Sequence, residues 1–436
     1  MSALTRPRYT TVAVLFLLAA SGALAESICD PDGVQDSGSI YRICMPPPDR
    51  YNGHLVIWAH GFQDAGTPVQ IPEDQLCISE GFCLPDLFNG LGFAFATNSY
   101  SKTGLAIRQG VDDIRDLVDI FAAEKGAPEK VYLTGASEGG IVTALSLEQD
   151  PMAYSGGVAA CGPVGNFPFQ ISYFGDARAT FQYFFPYVIP GDPFNPSQEL
   201  VDNWRDYYQL VVKPIVMHPD NRSRLDQWVR VARLPFDADN YLETVEVSVQ
   251  DALRYSVVNL NDAALTLGGF PFDNRNRWYR GSDNDLRLNS RVLRVDADPA
   301  AVAEMIAFYN TTGVLERPIV TLHTLRDQQV PYFHELLYTL KTIASGSFLI
   351  RHVNIPIDRF EHCNFTPGEA LFAFAVMLAY DANLGELSGV GSYLQGEDLE
   401  RFERQAREVG LPYRLDGEAL AVELGDSLQG STPPRF

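Results

Sequence analysis

The chain is poor in basic residues: 33 Lys and Arg face 55 Asp and Glu, a formal charge of −22 at pH 7. Such a surface repels phosphate backbones and anionic lipid, so nucleic acid and an anionic membrane are excluded as partners, and the excess charge reads as solubility. No Cys-x-x-Cys pair and no His-x-x-x-His spacing occurs. A tetrahedral zinc site therefore has no local ligand set to start from, and no metal or other cofactor is implied. There is no internal repeat and no low-complexity tract. Past residue 25 no apolar run approaches the ~20 residues that a membrane span needs, and the stretch Ala370–Tyr380 reads as a buried helix.

The N-terminus carries Arg6 and Arg8, an apolar run from Thr11 to Leu24 and the small residues Ala23-Leu24-Ala25. This predicts a secretory signal peptide over 1–25, cleaved before Glu26, and a periplasmic or secreted mature chain. The remaining chain of about 410 residues exceeds one ordinary core, so a large domain with an insertion, or two domains, is expected. All six cysteines lie in it: Cys29, Cys44, Cys77, Cys83, Cys161 and Cys363. An even number in an oxidising compartment predicts disulfides. Proximity favours Cys29 with Cys44 and Cys77 with Cys83, leaving Cys161 with Cys363, although other connectivities stay open.

Between Ser39 and Ala159 short β-rich runs alternate with helical ones: Leu55–Trp58, Phe93–Ala96, the amphipathic stretch Val111–Ala123, Val131–Leu133, a helix after Ser137, and Gly157–Ala159. That alternation predicts an α/β fold, a mostly parallel sheet flanked by helices. From Gly162 to Glu316 it fails, in a segment whose densest aromatic clusters are Phe181–Tyr187 and Asn274–Tyr279. It resumes with a strand at Pro318–Leu322, a helix around His334–Lys341, a strand at Phe348–Val353 and a helix from Pro367 to about Ala382. The expected layout is a core over 26–161, an inserted cap over 162–316, the core again over 317–384, and an appendage over 385–436 with a charged helix at Asp398–Arg407. An insertion leaving and re-entering at these strands sits over their C-terminal ends, where ligands bind in open α/β sheets. Its aromatics then either fill the cap's own core or wall a site for an apolar or aromatic group, with Phe184 and Tyr279 as candidates for the wall.

Gly135-Ala-Ser-Glu-Gly-Gly140 lies between the β-like run Lys130–Thr134 and the helical run Ile141–Leu147. A G-x-S-x-G serine between a strand and a helix is the nucleophile-elbow pattern: the sharp turn lifts the Ser137 hydroxyl clear of its own backbone, and glycines on either side avoid a clash. A serine needs a base, and the base needs an acid to hold its tautomer. On such an elbow the chain order is Ser, then Asp or Glu, then His. Of the histidines beyond the resumed strand, His334 falls in a helix and His352 in a strand, whereas His362 falls in the loop between the last strand and the last helix, within reach of the sheet's rim. Asp327 is the one carboxylate in the loop after the preceding strand. Glu361, next to His362, is the lesser candidate because neighbouring loop side chains diverge. The backbone N–H groups of Glu138, after the nucleophile, and of Phe62, after Gly61, are the expected oxyanion donors. His60 precedes Ser137, breaks that order and reads as structural.

Together these features resemble an α/β-hydrolase-fold serine hydrolase, of the broad group that includes secreted esterases and lipases. The resemblance is carried by His60-Gly61, Gly135–Gly139, Asp327 and His362, and spans about Ser39 to Asn383. It implies acylation of Ser137 by a small-molecule carboxylic ester and deacylation by water, with His362 as base and then acid. The His362-Cys363 pair also resembles tannases and feruloyl esterases, in which a disulfide ties the serine and histidine segments directly. Here Ala136 stands before Ser137, and Cys161 would serve a related purpose from the next strand. Gly268–Asn274 and Leu322-His-Thr324 look like exported bacterial α/β hydrolases. Serine peptidases of the prolyl-oligopeptidase kind share the fold and triad but usually carry a β-propeller ahead of it; here few residues separate the signal peptide from the first strand, so the esterase is expected first. A non-catalytic binding protein on this scaffold is the third reading, against which stand all three triad members.

Overall fold

The computed structural model describes residues 27–79, 82–348, 350–381, 394 and 396–408; the expected signal peptide, much of the appendage and its tail lie outside the described residues. One sheet organises the chain. Its strands are β1 (Ile28–Cys29), β2 (Ile40–Met45), β3 (His54–Ala59), β4 (Ala94–Asn98), β5 (Lys130–Ala136), β6 (Gly156–Ala160), β7 (Ile319–Arg326) and β8 (His352–Phe360), in the order β1-β2-β4-β3-β5-β6-β7-β8. A further short strand, Gly33–Val34, pairs with β2. The β1–β2 and β2–β4 pairs are antiparallel and every later neighbour is parallel. This is the mixed, mostly parallel sheet of an α/β hydrolase.

The strand period of two explains the apolar runs. Leu55, Ile57, Ala94, Ala96, Val131 and Leu133 face one side, while Val56, Phe95 and Tyr132 face the other, so a doubly covered strand needs apolar residues at every position. Helices α1 (Leu84–Gly90), α2 (Ile107–Lys125) and α3 (Glu138–Gln149) belong to the first half of the sheet. On α2 the buried residues Ile107, Ile114, Leu117, Val118 and Phe121 recur at helical spacing and make one face.

The chain between β6 and β7 is built of helices and turns, of which the longest are α4 (Phe167–Phe184), α5 (Arg222–Ala232) and α6 (Tyr241–Arg254). Phe181 and Phe185 pack edge-on against Trp228, whose indole N–H donates to the Ala177 carbonyl at 3.1 Å. After β7 come α7 (Phe333–Ser345), α8 (Pro367–Tyr380) and α9 (Gly396–Glu408). Helix α8 starts on a capping box made by Thr366 and Glu369, and it is buried nearly all round, as the Ala370–Tyr380 reading expects. Among the described residues no helix is long and apolar enough to cross a membrane.

One strand lies elsewhere than expected. The run Phe348–Val353 contributes little more than an isolated bridge from Phe348 to His352, and β8 begins at His352 and continues to Phe360. β8 is the sheet's edge, paired to β7 alone, so it carries Pro356 and exposed polar residues that a central strand would not tolerate. Its lack of an apolar run hides it.

Candidate active site

Ser137 follows β5 directly and caps α3 with φ 58° and ψ −119°. The residues two before and two after it must be glycine: a Cβ at Gly135 would sit 2.3 Å from the Gly139 carbonyl oxygen, and one at Gly139 would sit 1.9 Å from that of Ala59. The Ser137 amide donates to the Ala160 carbonyl at 2.8 Å, locking the turn to β6. Positive φ is costly for residues with a Cβ, so the turn is held by the packing around it.

His362 stands in the loop after β8, between Glu361 at φ 87° and Cys363 at φ 51°. Cys363 is bonded to Cys161, itself at φ 46° just beyond β6, so a disulfide fastens the histidine loop to the strand beside the nucleophile. The other pairs are Cys29 with Cys44 and Cys77 with Cys83. Asp327 follows β7 and is fully buried. Its Oδ1 accepts from the Gln329 and Val330 amides at 2.9 and 2.8 Å, and its Oδ2 accepts from His362 Nδ1 at 2.7 Å. A neutral ring that donates through Nδ1 keeps Nε2 as an acceptor, and Ser137 Oγ lies 2.9 Å from it. Burial pushes the Asp327 carboxyl up, but His362 and His323 outweigh it and hold it well below the usual carboxylate range.

The structure thus brings Ser137, His362 and Asp327 into one hydrogen-bonded chain. Glu361 does not join it: its side chain is exposed, and its carbonyl accepts from Thr324 Oγ1 at 2.8 Å. His60 is buried, with Nδ1 2.6 Å from the Gly61 carbonyl and its ring stacked on Tyr100 at 3.9 Å; burial keeps it neutral, down to about 4. The Gly61 amide is taken by Gln75 Oε1 at 2.6 Å, so the next amide in that turn is Phe62's. Glu138 opens α3, where a first-turn N–H has no intrahelical partner. Among the described residues the metal-like cluster is Cys161, His362 and Cys363, whose two sulfurs are bonded to each other.

A cavity of about 80 Å³ opens beside Ser137, walled by Phe62, Leu105, Phe167, Ile171, Phe174, Tyr255 and Leu260, with Glu138, Gln170, Asn259 and Gln329 as its polar groups. Phe174 and Tyr255 stack with centroids 4.9 Å apart. Tyr255–Asn259 is a π-helical turn following α6, which widens the helix where it faces the cavity. Phe184 and Tyr279, the expected wall residues, are not on it. Phe184 packs within the insertion, and the Tyr279 hydroxyl donates to Asp176 at 2.6 Å. The wall comes instead largely from α4 and the π-helical turn after α6, whose cavity-lining aromatics are spaced along the helices and make no dense cluster in the sequence. Glu138 is buried in this wall: Oε1 accepts from the Ala106 amide at 2.7 Å, Oε2 has no partner, and burial pushes the acid up to about 8. The sequence points to the Glu138 backbone alone; the signal for its side chain is a carboxylate at the start of a helix whose first two turns are otherwise uncharged.

No protein-family model and no curated protein matches the sequence. Among solved structures the chain is similar to brefeldin A esterase, a bacterial homologue of human hormone-sensitive lipase, at 10% identity and a TM-score of 0.42, over 85% of this chain and 80% of that one. It is similar to Candida antarctica lipase A in its closed state at 13% identity and a TM-score of 0.42, over 93% and 84%. Acylaminoacyl peptidase of Pyrococcus horikoshii gives 12% identity and a TM-score of 0.42, over 87% of this chain, which spans only 44% of the peptidase. These neighbours are esterases, lipases and peptidases; identities of this size say nothing of activity, and it is the strand order that makes the fold an α/β hydrolase.

Proposed function

We propose that the protein is an exported serine hydrolase that cleaves carboxylic esters through an acyl-enzyme on Ser137. The observation that carries this reading is the chain Ser137 Oγ, His362 Nε2, His362 Nδ1, Asp327 Oδ2, with contacts of 2.9 and 2.7 Å. Ser137 Oγ attacks the ester carbonyl as His362 Nε2 takes its proton, and Asp327 steadies the imidazolium. The amides of Glu138 and Phe62 receive the oxyanion. His362 then returns the proton to the departing alcohol, and water, activated by the same nitrogen, frees the acid and Ser137. Three disulfides support a working place outside the reducing cytoplasm.

The apolar cavity beside Ser137 supports an ester with a compact apolar or aromatic acyl group. A fluorophosphonate probe tests the reading in one step: it is expected to label Ser137, with the adduct located by peptide mass mapping and lost in Ser137→Ala. Labelling elsewhere, or none, sinks it. A screen of p-nitrophenyl esters beside peptide amides then separates esterase from peptidase; cleavage of amides with no ester turned over reverses the preference stated here.

A further inference from the structure

A second histidine stands behind Asp327. His323, on β7, is fully buried, with Nδ1 2.9 Å from Glu335 Oε1 on α7 and Nε2 2.7 Å from the Val330 carbonyl oxygen. That same Nε2 lies 3.3 Å from Asp327 Oδ2, the oxygen that accepts from His362. A carbonyl has no proton to give, and the other oxygen of Glu335 already accepts from Asn354 Nδ2 at 2.7 Å. Both ring nitrogens therefore face acceptors, an arrangement that an imidazolium, with two N–H donors, satisfies in full. Burial opposes the charge, but the hydrogen-bonded Asp327 and Glu335 outweigh it and raise the ring to about 10.

The other groups around this ring leave the assignment unchanged. His334, on the same turn of α7 as Glu335, is buried and hydrogen-bonded to Gln170, and burial holds it well below its ordinary value. Tyr332 meets the His323 ring edge-on at 5.8 Å and donates to Asn354. From α4, Tyr173 donates to the Gln328 carbonyl, and from α6, Asp251 accepts from the Gln328 and Gln329 side chains. His362 completes the set through Asp327.

We propose that His323 is a lasting buried imidazolium, paired with Glu335, and that it is a positioning residue acting through Asp327: it fixes the carboxylate's charge and weakens its pull on the His362 ring. The proposal rests on the reading of Asp327 and His362 given above. A cation on the far side of the carboxylate disfavours a second cation on the near side, so loss of the His323 charge is expected to show in the acid limb of turnover.

Two measurements on the full chain decide it. Long-range 1H–15N spectra of histidine-labelled protein, assigned by the signal lost in His323→Gln, are expected to show both His323 nitrogens protonated from about pH 5 to about pH 9. The pH profile of kcat/KM on a p-nitrophenyl ester is the second. In His323→Gln the acid limb is expected to rise by roughly one pH unit with KM little changed. His323→Gln/Glu335→Gln, an amide pair of similar shape that spares the core an unpaired carboxylate, should move it the same way by less. A neutral His323 ring at neutral pH, or an acid limb that stays put in the folded double variant, overturns the proposal. If Ser137 takes no fluorophosphonate and no ester is turned over, the hydrolase reading fails, and the spectra still decide the charge: a doubly protonated ring upholds the buried pair, a neutral one overturns it.

Discussion

The sheet and the helices between β6 and β7 bury the same kinds of side chain by different geometry. In the inner strands of the sheet side chains are fixed by a period of two and by partners on both faces, and strain gathers at the C-terminal rim. Among the described residues seven non-glycine positions have positive φ, and four of them, Ser137, Cys161, Glu361 and Cys363, surround the candidate site. In the inserted helices the corresponding irregularities are π-turns, at Tyr208–Val212 and Tyr255–Asn259, the second of which borders the cavity. We propose that the contrast places the reacting groups on the rigid rim and most of the cavity wall on the helices between β6 and β7. Substitutions at the rim should then cut rate whatever the ester, and substitutions in the wall should change which ester is preferred.

The largest effect is expected at the rim. Ser137→Ala and His362→Ala should each lower ester turnover by about 10⁶-fold, because members of such a unit fail together. Asp327→Asn should lower it by about 10⁴-fold, since the amide favours the wrong imidazole tautomer. Thermal melts should show Ser137→Ala folded like the parent. A purified Ser137→Ala protein with near-normal turnover would break the comparison at its root. Opening the Cys161–Cys363 bond is the next step down. Its long loop makes it worth about 5 kcal/mol of stability in the chain-entropy model. Cys161→Ala/Cys363→Ala should also lose turnover, because the covalent tie between the His362 loop and the end of β6 is then gone. Unchanged kcat in the double variant would show the disulfide to be a staple only.

The two regions also differ in how far sequence betrays them. Strands β3 to β6, covered on both faces, were written as apolar runs, and the elbow followed from glycines that structural contacts make obligatory at 135 and 139. Asp327 and His362, which chain order singles out, lie just past the C-terminal ends of β7 and β8. β8 lies further along the chain than the run Phe348–Val353 predicts, because an edge strand needs no apolar run. The helices between β6 and β7 show in the sequence only as a break in the alternation: helical burial depends on partners far away in sequence, so dense clusters such as Phe181–Tyr187 mark their interior, and the cavity wall is drawn from scattered residues. His323 has its own signal, a histidine inside a strand paired on both sides, which burial obliges to find two partners.

The wall supplies the next smaller effect. Phe174→Ala and Tyr255→Ala, which enlarge the cavity, should change the preference between short and bulky acyl esters by roughly 10- to 100-fold while the smallest ester still turns over. Phe181→Ala, in the insertion's interior, should cost about 3 kcal/mol of stability and leave the preference alone. Competition kinetics with paired esters and urea unfolding separate the two. A preference shift in Phe181→Ala as large as that in Phe174→Ala would erase the distinction between wall and interior.

Glu138 belongs to both regions and sets the smallest expected effect. Its backbone opens α3, while its carboxyl lies under the insertion. Burial is the main cause that raises it from 4.5 to about 8; Asp262 of the insertion adds to the rise, while the Ala106 amide and Lys102 oppose it. A folded value above the unfolded one means stability that is full below the unfolded value and is lost as pH rises through the folded one. The parent should therefore lose stability between about pH 5 and pH 8 through this group, and Glu138→Gln, neutral throughout, should lose less over the same window. Melting temperatures of the two proteins at several pH values give the difference, expected to widen by a few degrees towards neutral and mildly alkaline pH. Asp262→Asn removes the like charge contributed by the insertion and should reproduce a fraction of that flattening. A gap between parent and Glu138→Gln that does not change with pH would mean that water reaches the carboxyl, and that the insertion does not close over the rim at this point.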